Sequence, residues 1–249
     1  MNPSLASREI RGILLDIEGT TTPISFVHDV LFSYAREHVR DYLATHFAEA
    51  EVKTDVAGLR DEHAVDVEQG LQPPPLTNET LDSAIDSLTK YIHWLIDRDR
   101  KSGPLKSLQG RIWKDGYLDG SLKAQVYADV TPALSRWQQA GLTINMFSSG
   151  SKLAQQLLFS HTERGDLTKF IDKYFDTTIG PKMDSSSYQR IAAALELAER
   201  EILFVSDALP ELDAARTAGM ETRWCVRSNG EGPESAPNHQ IIRSFDELP

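Results

Sequence analysis

The most informative stretch of this chain is ILLDIEGT, at Ile13–Thr20. A short apolar run ends there in Asp16, and Glu18 follows two positions later. Open α/β sheets bind ligands at the carboxyl edge of their strands, and residues i and i+2 of a strand share a face. Asp16 and Glu18 are therefore predicted to face one site, where their charges repel unless a cation or a shared proton relieves them. The stretch indicates a metal-assisted carboxylate nucleophile, or else a polar strand end that turns into a loop.

A second junction between a strand and a helix carries hydroxyl groups. The apolar run Leu142–Phe147 ends in Ser148 and Ser149, and a helix-like segment begins at Ser151. Hydroxyls and backbone N–H groups at this position suit a phosphate, because the N-terminus of a helix favours an anion. Ordinary capping of the helix explains these serines equally well.

Two later junctions complete the pattern. Lys182 follows a Gly-Pro pair and precedes a helix, although a lone loop lysine is usually solvated. The apolar run Ile202–Val205 ends in Ser206 and Asp207, and Glu211 follows. Acidic residues at a strand end bind Mg²⁺, which prefers oxygen ligands, or they favour the start of the next helix through its dipole. Each junction alone is a weak indication, but their order along the chain is a strong one.

The four junctions together resemble the loop motifs of the haloacid dehalogenase superfamily. Those motifs are an Asp-x-Asp-type nucleophile loop, a Ser or Thr, a Lys and an acidic metal loop. In this chain they fall on Asp16 with Glu18, on Ser148, on Lys182 and on Asp207. Most phosphatases of the superfamily carry Asp at the position of Glu18, so this longer side chain departs from the pattern. The resemblance implies a hydrolase with a Rossmann-like catalytic core.

Four stretches narrow the resemblance to one branch of the superfamily. They are DIEGTTTPI at Asp16–Ile24, LQGRIW at Leu108–Trp113, FSSGS at Phe147–Ser151 and the pair Ser206-Asp207. Over nearly the whole chain they are similar to the enolase-phosphatase family of methionine salvage. The resemblance implies a bifunctional, Mg²⁺-dependent enzyme that converts 2,3-diketo-5-methylthiopentyl-1-phosphate to acireductone (1,2-dihydroxy-3-keto-5-methylthiopentene) and phosphate. The implied intermediate is an aspartyl-phosphate on Asp16.

The resemblance also implies a role for each site residue. The implied catalytic residues are Asp16, Glu18 and Lys182, and the implied substrate-binding residues are Ser148, Ser149 and Lys182. A single Mg²⁺ ion per chain is implied, with Asp16, Glu18 and Asp207 as its ligands. Glu18 would provide its side chain, its backbone carbonyl or both. The motifs do not identify the base that enolises the substrate.

The remaining pattern predicts a doubly wound parallel sheet with an inserted helical cap domain. Strand-like runs occupy Ile10–Asp16, Leu142–Ser148, Ile171–Phe175, Ile202–Ser206, Thr222–Val226 and Gln240–Ile242. Helix-like segments separate the later strands, as the crossovers of parallel strands require. In the insertion, apolar residues such as Phe26, Val30 and Tyr34 recur at helical spacing. We therefore predict a catalytic core of residues 1–22 and 127–249 and a helical cap domain of residues 23–126.

The composition limits the classes of partner. The chain has 249 residues, with 26 Lys and Arg against 37 Asp and Glu, and a net charge of −11. Nucleic acids and anionic membranes favour a basic surface, so we expect neither as a partner. No apolar run is long enough for a signal peptide or a membrane span, which predicts a cytoplasmic protein. The resemblance implies a small phosphorylated diketone as the substrate, and we expect a monomer.

Three other functions remain open. A general phosphomonoesterase would use the same core residues with a different cap pocket. A haloacid dehalogenase would use Asp16 to attack carbon without a metal, and would have no need for Asp207. A non-catalytic binding module on this fold is the third alternative, but such a module would have no need to keep Asp16 and Asp207.

Overall fold

The structure is a computed structural model that describes residues 10–100, 102–227 and 238–248. The described chain divides into two compact units. One unit contains the residues up to Phe26 together with those from Lys123 onward, and the other is Val27–Leu122. Residues 1–9, 228–237 and 249 of the predicted core, and residue 101 of the predicted cap, lie outside the described residues.

The first unit contains a six-stranded sheet whose strands pair in parallel. The strands are β1 (Gly12–Leu15), β2 (Thr143–Phe147), β3 (Lys173–Phe175), β4 (Ile202–Ser206), β5 (Glu221–Cys225) and β6 (Gln240–Ile242). Their order in the sheet is β3-β2-β1-β4-β5-β6. The central strands are buried along almost their whole length, which explains their nearly continuous apolar sequences. The predicted doubly wound parallel sheet is confirmed.

The second unit consists of helices. A π-helix at Phe26–Phe32 leads into α1 (Ser33–His46), which is followed by α2 (Ala50–Glu68), α3 (Leu81–Ile96) and α4 (Gly103–Asp119). These helices bury an apolar core of their own, which includes Val39, Leu43, Leu59, Leu88 and Leu95. The predicted helical spacing of the first segment is confirmed. Its first turns, however, are π-helical, so their backbone bonds join residues five apart instead of four.

Four helices complete the first unit, namely α5 (Val130–Gln139), α6 (Lys152–Ser160), α7 (Ser185–Leu195) and α8 (Leu209–Ala218). Parallel neighbours need such crossovers, because a tight hairpin cannot join strands that run in the same direction. Helices α7 and α8 pack against each other, and α8 also packs against β4 and β5. The buried rings of Phe147, Tyr188 and Phe204 lie in the core of this unit. Within the described residues, no helix combines the length and the apolar character that crossing a membrane requires.

The register brings the ends of three neighbouring strands to one edge of the sheet. Leu15 of β1 pairs with Met146 of β2 on one side and with Val205 of β4 on the other. The strand order reverses beside β1, and open parallel sheets bind their ligands at the carboxyl edge near such a reversal. The residues that follow Leu15, Met146 and Val205 along the chain therefore reach the predicted site.

Candidate active site

Asp16 directly follows β1 and is buried at the carboxyl edge of the sheet. Its backbone N–H donates to the Val205 carbonyl at 2.9 Å, so the ladder with β4 continues one residue past β1. Its carboxylate oxygens accept hydrogen bonds from the Lys182 ammonium at 2.6 Å and from the Ser206 hydroxyl at 3.2 Å. Because Lys182 donates to one oxygen and the Ser206 hydroxyl lies within hydrogen-bond distance of the other, the orientation of the predicted nucleophile is restricted.

Lys182 bridges two carboxylates. Its Nζ lies 2.6 Å from Asp16 and 2.7 Å from Glu211, and only 11% of the lysine side chain is exposed. Burial alone would lower the pKa of this ammonium, but the negative charges of Asp16 and Glu211 raise the pKa above its ordinary value. The ammonium also lies 5.7 Å from the centre of the Phe147 ring. Lys182 is therefore a fixed positive charge and not a solvated loop lysine.

The loop that carries Lys182 is held by the first turns of α7. The Tyr188 hydroxyl donates to the Lys182 carbonyl at 2.7 Å. The Ser187 hydroxyl donates to the neighbouring Pro181 carbonyl at 2.8 Å. The Tyr188 ring is fully buried and packs edge-on against Phe147, with 5.6 Å between ring centres. The aromatic core beside the sheet thus sets the position of the lysine.

Asp207 follows β4 and lies against the loop that follows Asp16. Gly19 has a backbone φ of +70°, and a methyl group added to it would overlap the Asp207 carboxylate. The Trp224 ring N–H donates to the Asp207 carbonyl at 2.9 Å. Burial, followed by the negative charges of Asp16 and Glu211, raises the pKa of Asp207 to about 7. The raised pKa reports that the carboxylates of this cluster crowd one another.

Three carboxylates, those of Asp16, Asp207 and Glu211, share this cluster with the single ammonium of Lys182. Burial and the charge of Asp16 also raise the pKa of Glu211. Among the described residues, no three His, Cys, Asp or Glu side chains already have the arrangement of a metal site. The donor chemistry nevertheless fits Mg²⁺, because crowded carboxylates supply hard oxygen ligands and an excess of negative charge.

The other predicted site residues lie in loops at the same edge. Glu18 is half-buried, and its backbone forms a β-bridge with Thr22. Ser148 follows β2, and its hydroxyl accepts a hydrogen bond from the Gly150 N–H at 3.1 Å. Ser149 comes next and is exposed. The structure thus joins Asp16 and Lys182 directly, whereas the hydrogen bonds described for Ser148 lie within its own loop and to β3.

The capping of α6 separates two interpretations of the serine-rich loop. Ser151 is the N-cap residue, and its hydroxyl accepts a hydrogen bond from the Ala154 N–H at 3.2 Å. Ordinary capping therefore explains Ser151 but not Ser148 or Ser149. These two serines remain candidates for binding an anion at the start of the helix.

Three residues of the cluster or its support were absent from the predicted site. Glu211 was noted in the sequence as an acidic residue four positions after Asp207 but was not assigned to the site, and the structure places it in the first turn of α8. Ser206 donates its hydroxyl to Asp16 or to Glu211, both at 3.2 Å, and a hydroxyl has only one proton to share. The third residue, Arg227, donates to the Thr20 carbonyl and has no motif that marks it.

The fold and this cluster agree with one class of enzyme. A family model described as a haloacid dehalogenase-like hydrolase matches residues 10–219. The crystal structure of the UTR4 protein from Saccharomyces cerevisiae is similar to this chain, with a TM-score of 0.76 and 31% sequence identity. That likeness covers 96% of this chain and 100% of the yeast chain.

Curated relatives narrow the class to a family. The chain is 51% identical over 239 residues to Enolase-phosphatase E1 of Synechococcus elongatus, which covers 96% of this chain and 98% of that protein. It is 45% identical over 244 residues to Enolase-phosphatase E1 of Sorangium cellulosum, covering 98% and 99% of the two chains. The chain therefore belongs to the enolase-phosphatase family of the haloacid dehalogenase-like hydrolases and is a phosphatase. The resemblance found in the sequence is confirmed.

Proposed function

We propose that the protein is a Mg²⁺-dependent, bifunctional enolase-phosphatase of methionine salvage. It converts 2,3-diketo-5-methylthiopentyl-1-phosphate to acireductone and inorganic phosphate. The observation that carries the proposal is the buried contact between Asp16 and Lys182 at the carboxyl edge of the sheet, in a chain with close enolase-phosphatase relatives. This contact places an oriented carboxylate beside a fixed positive charge, which suits nucleophilic attack on a phosphate ester.

Phosphate transfer proceeds in two steps in this proposal. An Asp16 oxygen attacks phosphorus of the enolised substrate, and the bond between phosphorus and the ester oxygen breaks. The electron pair of that bond stays on the ester oxygen, which takes up a proton and becomes an enol hydroxyl. Water then attacks phosphorus in the aspartyl-phosphate and loses a proton, and Asp16 departs as a carboxylate. Two displacements with good leaving groups replace one difficult displacement by water.

The contacts of Asp16 prepare it for the first step. Lys182 donates to one oxygen and the Ser206 hydroxyl lies within hydrogen-bond distance of the other, so little orientational freedom is lost when the substrate arrives. Lys182 remains an ammonium at neutral pH because its pKa is raised, and it can therefore donate to a phosphoryl oxygen as well as to Asp16. Glu211 also contacts that ammonium, at 2.7 Å, and so helps to fix its position.

A phosphate ester must overcome the negative charge of this cluster. Mg²⁺, when bound by Asp16, Glu18 and Asp207, supplies the positive charge that offsets the phosphoryl oxygens. The Ser148 hydroxyl and the Ser149 N–H bind phosphate oxygens in the loop that precedes α6, where the helix dipole favours an anion. These contacts hold the phosphate while a base takes a proton from the carbon that bears it. The C–H electron pair then forms the carbon–carbon double bond, and the π electron pair of the adjacent carbonyl moves to its oxygen, which takes up a proton.

The proposal also includes the setting of the enzyme. It acts in the cytoplasm as a monomer on this small substrate, and the net charge of −11 supports the expectation that neither nucleic acid nor a membrane is its partner. Residues 23–126 serve as the cap domain and residues 1–22 with 127–249 as the catalytic core.

Metal removal tests the cofactor in the proposal. The purified protein is assayed for phosphate release from the diketo phosphate with Mg²⁺, with excess EDTA, and with EDTA followed by excess Mg²⁺. We expect release to stop with the chelator and to return with the added ion, because carboxylate oxygens are the donors of the cluster. Undiminished release in excess chelator would contradict Mg²⁺ dependence. Equal kcat/KM values for the diketo phosphate and for simple phosphomonoesters would instead favour a general phosphomonoesterase.

A further inference from the structure

Two side chains at or just after the end of β5 donate hydrogen bonds to the loops that form the candidate site. The Trp224 ring N–H donates to the Asp207 carbonyl at 2.9 Å. The Arg227 guanidinium donates to the Thr20 carbonyl through Nε at 2.9 Å and through a terminal nitrogen at 2.7 Å. The two donors are only three residues apart in the chain, yet they hold the backbones of two different catalytic loops. We call Trp224 and Arg227 the β5 clamp.

Arg227 is itself held in place on several sides. Its other terminal nitrogen pairs with the Asp129 carboxylate at 2.6 Å, and both side chains are at least nine-tenths buried. Its guanidinium carbon lies 4.4 Å from the centre of the Tyr127 ring and 4.5 Å from that of the Phe245 ring. A guanidinium that packs over two aromatic rings and pairs with a carboxylate has little freedom to move. Arg227 therefore gives the Thr20 carbonyl a rigid anchor.

The two ends of the clamp meet where the loops touch. Thr20 follows Gly19, and the Gly19 backbone lies so close to the Asp207 carboxylate that no methyl group fits between them. A shift of the Thr20 carbonyl would move Gly19, and a shift of the Asp207 backbone would move the carboxylate that Gly19 contacts. The spacing between the loops of Asp16 and Asp207 therefore depends on both donors.

We propose that Arg227 and Trp224 are positioning residues that set the distance between the nucleophile loop and the Asp207 loop. The inference rests on the proposed function in one respect, namely that these loops carry out phosphate transfer. The clamp contacts neither the Ser148–Gly150 loop nor Lys182 through the bonds described, so phosphate binding depends on it less than catalysis does.

The matched variants are Arg227→Met and Arg136→Met. Arg136 donates to the backbone carbonyls of Phe245 and Leu248 at 2.8 and 3.2 Å, so it is also an arginine that anchors backbone near Phe245 but not at Thr20. For Arg227→Met we expect kcat to fall about ten- to a hundredfold, because small misplacements of reacting groups carry such losses. We expect KM and the inhibition constant of inorganic phosphate to change less than about threefold, and Arg136→Met to keep kcat within about twofold.

Two further variants separate positioning from folding. Trp224→Phe keeps a ring but removes the N–H donor, and we expect it to lower kcat as Arg227→Met does. Arg227→Lys restores one donor, and we expect only partial recovery because an ammonium cannot reproduce the planar fork between Thr20 and Asp129. Asp129 still accepts hydrogen bonds from the Phe245 N–H and the Ser244 hydroxyl when Arg227 is replaced, which favours a folded variant.

Amide hydrogen exchange supplies a readout that does not depend on activity. Exchange in residues 17–22 should become faster in Arg227→Met and remain unchanged in Arg136→Met. Kinetics are measured with the diketo phosphate and with p-nitrophenyl phosphate. The aryl ester reports the effect of each variant on kcat independently of whether the diketo phosphate is the substrate. Unchanged exchange in residues 17–22, or a wild-type kcat in both Trp224→Phe and Arg227→Lys, would overturn the inference. An equal loss of kcat in Arg136→Met would show that the effect is a general destabilisation and would also overturn the inference.

Discussion

Replacing Gly19 by alanine tests the contact between the nucleophile loop and Asp207. The glycine has a φ of +70°, in the left-handed region that disfavours side chains, and the added methyl group would overlap the Asp207 carboxylate. Because Asp207 is fixed through its carbonyl by Trp224, the carboxylate must rotate away or the Gly19 loop must retreat. Either movement changes the spacing between Asp207 and Asp16.

The expected effects on stability and on catalysis differ in size. The left-handed backbone costs an alanine about 1–2 kcal/mol, which for a protein of this length lowers Tm by roughly 2–8 °C. The displaced carboxylate should lower kcat about a hundredfold, as a misplacement of about 1 Å in a catalytic group can. Most of the loss therefore lies in catalysis and not in folding.

Gly141→Ala is the matched control for this experiment. Gly141 has a φ of +77°, and within the described part of the chain a methyl group added there meets no atom within 4 Å. The two variants thus share the backbone strain and differ in the contact with Asp207. Thermal denaturation and steady-state phosphate release are measured for both. Equal Tm losses with normal kcat in both variants would refute the argument that Gly19 is needed for the position of Asp207.

Further predictions concern the proposed nucleophile, the bridging lysine and the support of the clamp. Asp16→Asn should slow phosphate release on the order of 10⁴-fold or more. The variant should still exchange solvent deuterium into the carbon that bears the phosphate, which NMR can follow. Loss of exchange with normal substrate binding would contradict the expectation that enolisation proceeds without the Asp16 carboxylate. Lys182→Ala should slow both deuterium exchange and phosphate release, the latter about 10²–10³-fold at subsaturating substrate. A wild-type rate of phosphate release in this variant would contradict the assignment of Lys182 to the phosphate site. Burial raises the pKa of Asp129, but hydrogen bonds from Arg227 and its neighbours outweigh burial and lower it, so its stabilising effect is present above the unfolded pKa of about 3.9 and is lost as pH falls through the folded pKa. The Tm difference between wild type and Asp129→Asn should accordingly shrink on acidification below about pH 4, and a difference independent of pH would contradict it.

The sheet was predictable because its central strands β1, β2 and β4 are short, mostly apolar and buried along almost their whole length. The predicted strands Ile202–Ser206 and Gln240–Ile242 agree with the structure residue for residue, and the others differ by at most two residues at an end. The π-helix at Phe26–Phe32 was not predictable in the same way. Apolar residues four apart suit both an α-helix and a slightly wider helix, so periodicity alone does not distinguish them.

The position of the candidate cluster was predictable where its residues follow the ends of strands. Asp16 and Asp207 follow adjacent parallel strands, so the topology alone brings them to one edge. The pairing of Lys182 with Glu211 depends instead on how the loop before α7 is held, in part by the hydrogen bond from the Tyr188 hydroxyl to the Lys182 carbonyl. No local sequence pattern indicates that contact. Arg227 escaped prediction for a similar reason, because its partner is the backbone carbonyl of a residue 207 positions away and a carbonyl has no sequence signature.

The most direct measurement follows both products of the proposed reaction in a single sample. Purified protein, Mg²⁺ and the diketo phosphate are mixed without oxygen, and acireductone absorbance and inorganic phosphate are recorded together through complete turnover. We predict one acireductone for each phosphate throughout the reaction, with both signals lost in Asp16→Asn. Phosphate release without the acireductone absorbance, or no phosphate release from this substrate, would contradict the assignment of an enolase-phosphatase.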